Sequence, residues 1–174
     1  MFEKEFVDEI DAFLAHGTTI AVLGIGNEDN GDDAVALHVI KELETYTLPD
    51  QVKLLYCERV PEHFVGKVEK LKANRVLMLD AADMNEVSGA IAIVPNELVS
   101  SGYHFSTHTL SLTLMETFLK ASIPDVKVMF IGIQPEHTWF EEPLSKNCQI
   151  AVAELSSFLK ERFNLTFLTK NNNL

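Results

Sequence analysis

Cysteine is nearly absent: the 174 residues include two, Cys57 and Cys148, at a spacing that fits no paired metal-binding or thiol-redox motif. That scarcity excludes a disulfide scaffold and a four-thiolate zinc site, and it makes a reducing cytoplasm the expected compartment; a single bridge between the two stays open. Long apolar runs are missing too. The stretches 75–82 and 126–134 stop after one strand's length, well short of the roughly 20 residues a bilayer span needs, so no membrane insertion is expected. The opening residues Met1-Phe2-Glu3-Lys4-Glu5-Phe6 carry acids where a secretory signal carries a basic segment and then an apolar one, so export is not expected either. Basic charge is scarce. Fourteen Lys and Arg stand against 26 Asp and Glu, a formal net charge of −12. A surface of that sign repels phosphate backbones, and no dense Lys/Arg stretch makes a local exception, so nucleic acid is excluded as a partner.

What the chain does have is apolar mass: 47% hydrophobic residues, enough to fill one core, so a single domain over 1–174 is expected. Phe6, Ile10, Phe13 and Leu14 recur at helical spacing and predict an amphipathic helix over 3–15, part of an extra N-terminal element of 17 residues. A β-branched apolar run at 18–24 predicts a buried strand, followed by the turn-forming Gly26-Asn27-Glu28-Asp29-Asn30-Gly31. A helix is expected from Asp32, with Ala36, Val39, Ile40 and Leu43 on its inner face. Strands at 52–57, 75–80, 89–95 and 126–134 then alternate with helices at 62–71, at 108 to about 120, and at 144–162. The strand at 89–95 follows a short connection and is expected to pair antiparallel at an edge. Strands alternating with helices predict the α/β class, a largely parallel sheet with helices on both faces. Residues 170–174 are expected to fray.

In an open α/β sheet, ligands collect beyond the carboxyl ends of the strands where strand order reverses. With the second and third strands on opposite sides of the first, the crevice falls between the loops that carry Asp32-Asp33 and Asp80. A third contribution is expected from the segment His104-Phe105-Ser106-Thr107-His108. Asp33, Asp80 and His108 offer carboxylate oxygens and an imidazole nitrogen, a set suited to a divalent metal with open positions. Thr107 reads as an N-cap, which places His108 in a first helical turn whose dipole favours the neutral ring that metals bind. Plainer readings stand beside these. Asp32 and Asp33 are also helix caps by position, and His104 is not separable from His108 by composition. Asp80, ending an apolar strand with Ala81 and Ala82 behind it, is a poor place for a merely solvated acid.

Gly24-Ile25-Gly26 invites a dinucleotide reading, yet the third glycine of that fingerprint should fall where Asp29 stands, and acids follow where a pyrophosphate should rest. No glycine-flanked serine elbow exists, since Ser100, Ser101 and Ser111 sit in other contexts. Cys148 shares a helical face with Ala151, Val152, Leu155 and Leu159 and reads as core; Cys57 ends a strand and is placed to border the crevice, with no neighbouring cation to activate it.

Taken together, Gly24-Ile25-Gly26-Asn27, Gly31-Asp32-Asp33-Ala34, Leu77-Met78-Leu79-Asp80-Ala81-Ala82-Asp83-Met84, Thr107-His108 and Phe130-Ile131-Gly132-Ile133-Gln134-Pro135 resemble the hydrogenase maturation endopeptidases, in order and spacing, over about residues 18–163. The nearest branch is the one serving formate-hydrogenlyase-type enzymes. The resemblance implies a three-layer α/β/α fold with a twisted sheet of about five strands. It implies removal of a C-terminal extension from the large-subunit precursor of a nickel-iron hydrogenase after nickel insertion, the nickel arriving with the precursor. It also implies that Asp33, Asp80 and His108 are the metal-contacting and catalytic residues, with Asp32 the acid just before the first ligand. Two departures are visible: Cys57-Glu58-Arg59-Val60-Pro61-Glu62 stands where the family has a Gly-Gly turn, and Ala36 replaces a frequent glycine. The absence of a nucleophile with a base partner favours direct water attack. The rival readings are a nickel-binding accessory protein that docks on the precursor without cutting it, and a small nucleotide-binding α/β protein. Phe105, Trp139 and Phe140 lie in loops near the expected cleft, as partner anchors or as core. A monomer is expected.

Overall fold

The computed structural model describes residues 2–95 and 106–168. Five strands, β1 (Ile20–Ile25), β2 (Val52–Glu58), β3 (Arg75–Ala81), β4 (Ile91–Val94) and β5 (Lys127–Ile133), form one sheet in the order β2-β1-β3-β5-β4. All neighbours are parallel except β4, which pairs antiparallel with β5 at the edge. Helices α1 (Lys4–Ala15), α2 (Val35–Glu44) and α5 (Lys146–Leu168) cover one face; α3 (Val65–Lys70) and α4 (Thr109–Ser122) cover the other. This is the expected three-layer arrangement, mostly parallel with one antiparallel edge.

The two faces follow from strand alternation. Ile20, Val22, Leu77, Leu79, Ile131 and Ile133 point toward α1, α2 and α5, while Ala21, Leu23, Ile25, Val76, Met78 and Phe130 point toward α3 and α4. Because β1 and β3 are buried on both faces, they read in sequence as continuous apolar runs. The N-terminal helix joins the first layer: Ile10 and Leu14 are fully buried, and Phe2 and Phe6 stack at 4.7 Å beside Phe158 of α5.

Three boundaries differ from the sequence expectation. The segment from Gly31 to Ala34 is a tight 3-10 turn, and the α-helix begins only at Val35; likewise Pro61–Phe64 is 3-10 ahead of α3. The last helix runs to Leu168, not 162, because Phe163 and Phe167 continue the buried stripe of Cys148, Leu155 and Leu159 at four-residue spacing. The expected fraying of 170–174, like His104 and Phe105, lies outside the described residues. Both cysteines are free and buried, Cys57 on β2 and Cys148 on α5, in the cores on opposite faces of the sheet, so the open bridge does not form. Burial pushes the Cys57 thiol far up, against a lesser pull from Lys67, and it lies in the core instead of bordering the crevice.

Phe163, toward the far end of α5, belongs to the core shared by α1, α2, α5 and the sheet and has no exposed surface. Phe163→Ala should therefore lower the unfolding free energy by about 3–5 kcal/mol, read as a shifted urea midpoint; an unchanged midpoint would show that the end of α5 is dispensable.

Candidate active site

Strand order reverses between β1 and β3, and the loops beyond their carboxyl ends hold the candidate acids. The turn after β1 needs glycine at two points. A Cβ on Gly26 (φ +152°) would stand 2.0 Å from the carbonyl oxygen of Asp33, and one on Gly31 (φ +53°) would stand 2.9 Å from the His137 ring. At Gly24 a Cβ would meet Ile40 at 2.5 Å and the Ala36 carbonyl at 2.8 Å. These glycines serve close approach within the protein itself, which removes the main support for a nucleotide cradle.

Neither Asp32 nor Asp33 makes a side-chain cap. The fully buried Asp32 instead reaches across to the loop between β5 and α5: its Oδ2 accepts the Glu136 N–H at 2.8 Å and the His137 N–H at 3.4 Å, and its Oδ1 accepts the Ser145 N–H at 2.7 Å. Burial alone would raise this carboxyl, but the backbone donors of Glu136, Ser145 and His137 hold it below its ordinary value.

Asp80, next to the end of β3, is fully buried. Its Oδ1 accepts the Ala81 N–H at 2.9 Å, its Oδ2 accepts the Ser106 hydroxyl, and both oxygens lie 3.3 Å from His108 Nδ1. Thr107 bridges to the third residue: its hydroxyl donates to Asp33 Oδ1 at 3.0 Å and stands 3.1 Å from His108 Nδ1. Asp33 and His108 are thus joined through one oxygen atom, and Asp80 and His108 are joined directly. An Nδ1–H on His108 has acceptors in Asp80 and Thr107, which leaves Nε2 as the nitrogen with a free lone pair.

The helix after this segment starts at Thr109, so His108 occupies the N-cap position and Thr107 lies outside it. The expectation of a ring held neutral by the dipole is corrected accordingly. Burial pushes the imidazole down, but the Asp80 hydrogen bond and charge, with Asp33 adding, overcome it and raise the value; Arg59 opposes weakly. Asp80 also moves up, because full burial outweighs the pull of His108 and Ser106. The pair is built to hold a proton between them.

Asp33 lines an open cleft of about 580 Å³ together with Ala81, Ser106, Thr107, Gln134 and His137, whereas Asp80 and His108 stand behind the Ser106-Thr107 segment of its wall. Among the described residues, no three His, Cys, Asp or Glu side chains already stand at metal-holding geometry. The three candidates meet as a hydrogen-bonded chain whose donors, two carboxylates and an imidazole, are chemically suited to a nickel-type ion. Sequence reasoning missed several supports. Gln134 accepts the Met84 N–H at 2.7 Å and donates to Asp83, fixing the loop after β3; Ser106 and Thr107 carry the hydrogen bonds that link the three candidates; His137 forms part of the far wall. The motif Ser106-Thr107-His108 was the available signal for the second of these. Trp139 and Phe140, open between anchor and core, are surface residues.

Fold and cleft define an α/β protein whose switch point holds acids and an imidazole in place of a phosphate cradle. Comparison with known proteins narrows this class. A family model described as hydrogenase maturation protease matches residues 37–160. A Methanocaldococcus jannaschii protein assigned as a hydrogenase maturation protease is 32% identical over 149 residues, 82% of this chain and 86% of that protein. The hydrogenase 3 maturation protease of Escherichia coli is 27% identical over 134 residues, 77% of this chain and 84% of its own. The crystal structure of a [NiFe] hydrogenase maturation protease from Thermococcus kodakarensis superposes with a TM-score of 0.80 at 27% identity, covering 90% of this chain and 99% of that one. The chain belongs to the hydrogenase maturation protease family. No described helix is long and apolar enough to cross a membrane.

Asp32 supplies a test of the loop anchor. Its folded value lies below the roughly 3.9 of an unfolded aspartate, so it stabilises the fold above that pH, and the contribution is lost as pH falls through the folded value. Asp32→Asn should cost on the order of 3 kcal/mol at neutral pH and flatten the loss of stability between about pH 5 and pH 2, measured by guanidinium titration. Identical acid limbs in the two proteins would contradict the anchor.

Proposed function

We propose that this protein is the endopeptidase that removes the C-terminal extension of a nickel-iron hydrogenase large-subunit precursor after nickel insertion, with the nickel entering as part of the substrate. The observation that carries the reading is the convergence of Asp33, Asp80 and His108 at the switch point of a chain in this family. Nickel carried by the precursor would find in them oxygen and nitrogen donors able to tether the loaded precursor, so that cutting depends on prior loading.

Each residue has its own task in this reading. Asp80, buried and fixed by Ala81 N–H and the Ser106 hydroxyl, holds the His108 Nδ1–H and thereby presents Nε2 as the free nitrogen. Asp33, on the cleft wall and steadied by Thr107, supplies a carboxylate to the substrate side. Water attack suits this set better than an acyl-enzyme: the Ser106 hydroxyl is committed to Asp80 and receives the His108 N–H, and both cysteines are buried. Asp33, the one of the three that lines the cleft, is placed for general acid–base work on the attacking water or the departing amine. The proton held between Asp80 and His108 fixes the ring that presents Nε2. Two free cysteines suit a reducing cytoplasm, and one domain acting as a monomer completes the proposal.

Asp33→Ala and His108→Ala should each slow cleavage of nickel-loaded precursor by at least about a hundredfold while thermal unfolding shows a folded protein. Wild-type protein should leave nickel-free precursor uncut, as read by mass spectrometry. Undiminished cleavage by either variant sinks the residue assignment, and a precursor that binds wild type with unchanged mass makes the protein a docking accessory instead.

A further inference from the structure

Two exposed apolar surfaces adjoin the cleft lining, one where α4 begins and one where the loop after β5 leaves it. At the first, α4 begins directly after Thr107 and His108, and its Leu110, Leu114 and Phe118 recur every four residues along one outward stripe, Leu110 being 74% and Phe118 46% exposed. At about 1.5 Å per residue that stripe runs about 12 Å away from the cleft rim. At the second, the cleft wall passes through Thr138 to Trp139 and Phe140, 69% and 68% exposed. The Trp139 ring is stacked on His137 at 5.1 Å, which holds it outward at the rim. Glu136, Glu141 and Glu142, all exposed, flank that aromatic pair along the chain.

Apolar area of this kind at two places beside a cleft marks a surface that another molecule covers. A second copy covering both would roof the cleft and shut out any substrate. A tail peptide lying in the cleft would not reach Phe118. A folded body whose tail enters the cleft covers both at once, and the acids flanking Trp139 and Phe140 call for a basic rim on that body. We propose that the α4 stripe and the Trp139-Phe140 pair are the two docking platforms for the body of the hydrogenase precursor, through an apolar patch edged by Lys and Arg beside its C-terminal tail. This rests on the protease reading above and adds where the substrate is gripped.

The test uses the full chain with two double variants, Leu110→Asp with Phe118→Asp, and Trp139→Ala with Phe140→Ala, all at exposed positions. Binding of nickel-loaded precursor is read by interferometry and its cleavage by mass spectrometry. Each pair should weaken binding at least about tenfold, with the loss of activity falling on KM and not on kcat. Precursor lacking the C-terminal extension should still bind wild type and lose the same factor on the variants. If a pair fails to fold by circular dichroism, the corresponding Ser substitutions replace it. Equal affinity of wild type and variants, or no binding of tail-less precursor to wild type, overturns the platforms. Precursor bound through the platforms and left uncut by wild type overturns the protease reading instead and leaves the docking surface standing.

Discussion

The Asp32 carboxylate accepts backbone N–H groups from Glu136, His137 and Ser145 while shut off from solvent, and the two walls of the cleft keep their spacing because of it. Without those donors a buried carboxylate would have to be neutralised or expelled. With them, it ties the first loop of the sheet to the last. The reciprocal contact, Asp32 N–H to the His137 carbonyl at 3.0 Å, closes the joint from the other side. Asp33, the next residue, is thereby delivered to the cleft wall on a backbone that has little freedom to move.

The second organising feature is the hydrogen-bonded chain from Asp33 through Thr107 and His108 to Asp80. Its inner end is buried and its outer end faces the cleft. Burial and the nearby Asp33 disfavour an ionised Asp80, and the Nδ1–H of His108 relieves part of that cost at its oxygens. Such an arrangement stores a proton close to the cleft.

Much of this was legible in the sequence. Strand alternation and the apolar runs at β1, β3 and β5 gave the sheet, and the reversal of strand order put Asp33 and Asp80 at one end of it, because topology, not local propensity, decides where loops converge. What stayed hidden depends on partners far along the chain. Asp32 looks like a cap until Glu136 and Ser145, more than a hundred positions away, claim its oxygens. The charge on His108 reads one way from a helix terminus and the other way once Asp80 is 3.3 Å distant, since a full charge at contact outweighs a fractional dipole. The close seat of His137 against Gly31, where the 3-10 turn begins, is likewise announced by no local pattern.

Gly26 brings a last consequence for how such a chain can diverge. The space a side chain would take at that position is filled by the Asp33 carbonyl, and Asn27 N–H donates to the same oxygen at 3.3 Å. The bend that lets the strand end and the bend that aims the acid are therefore one backbone feature shared by two positions seven residues apart. Because that oxygen is a main-chain one, the contact demands glycine at 26 whatever side chain stands at 33. Descendants of this sequence are free to redraw the loop between them only so far as it returns that carbonyl to the same place, which makes the smallest heritable unit of this cleft a piece of main chain and not a side chain.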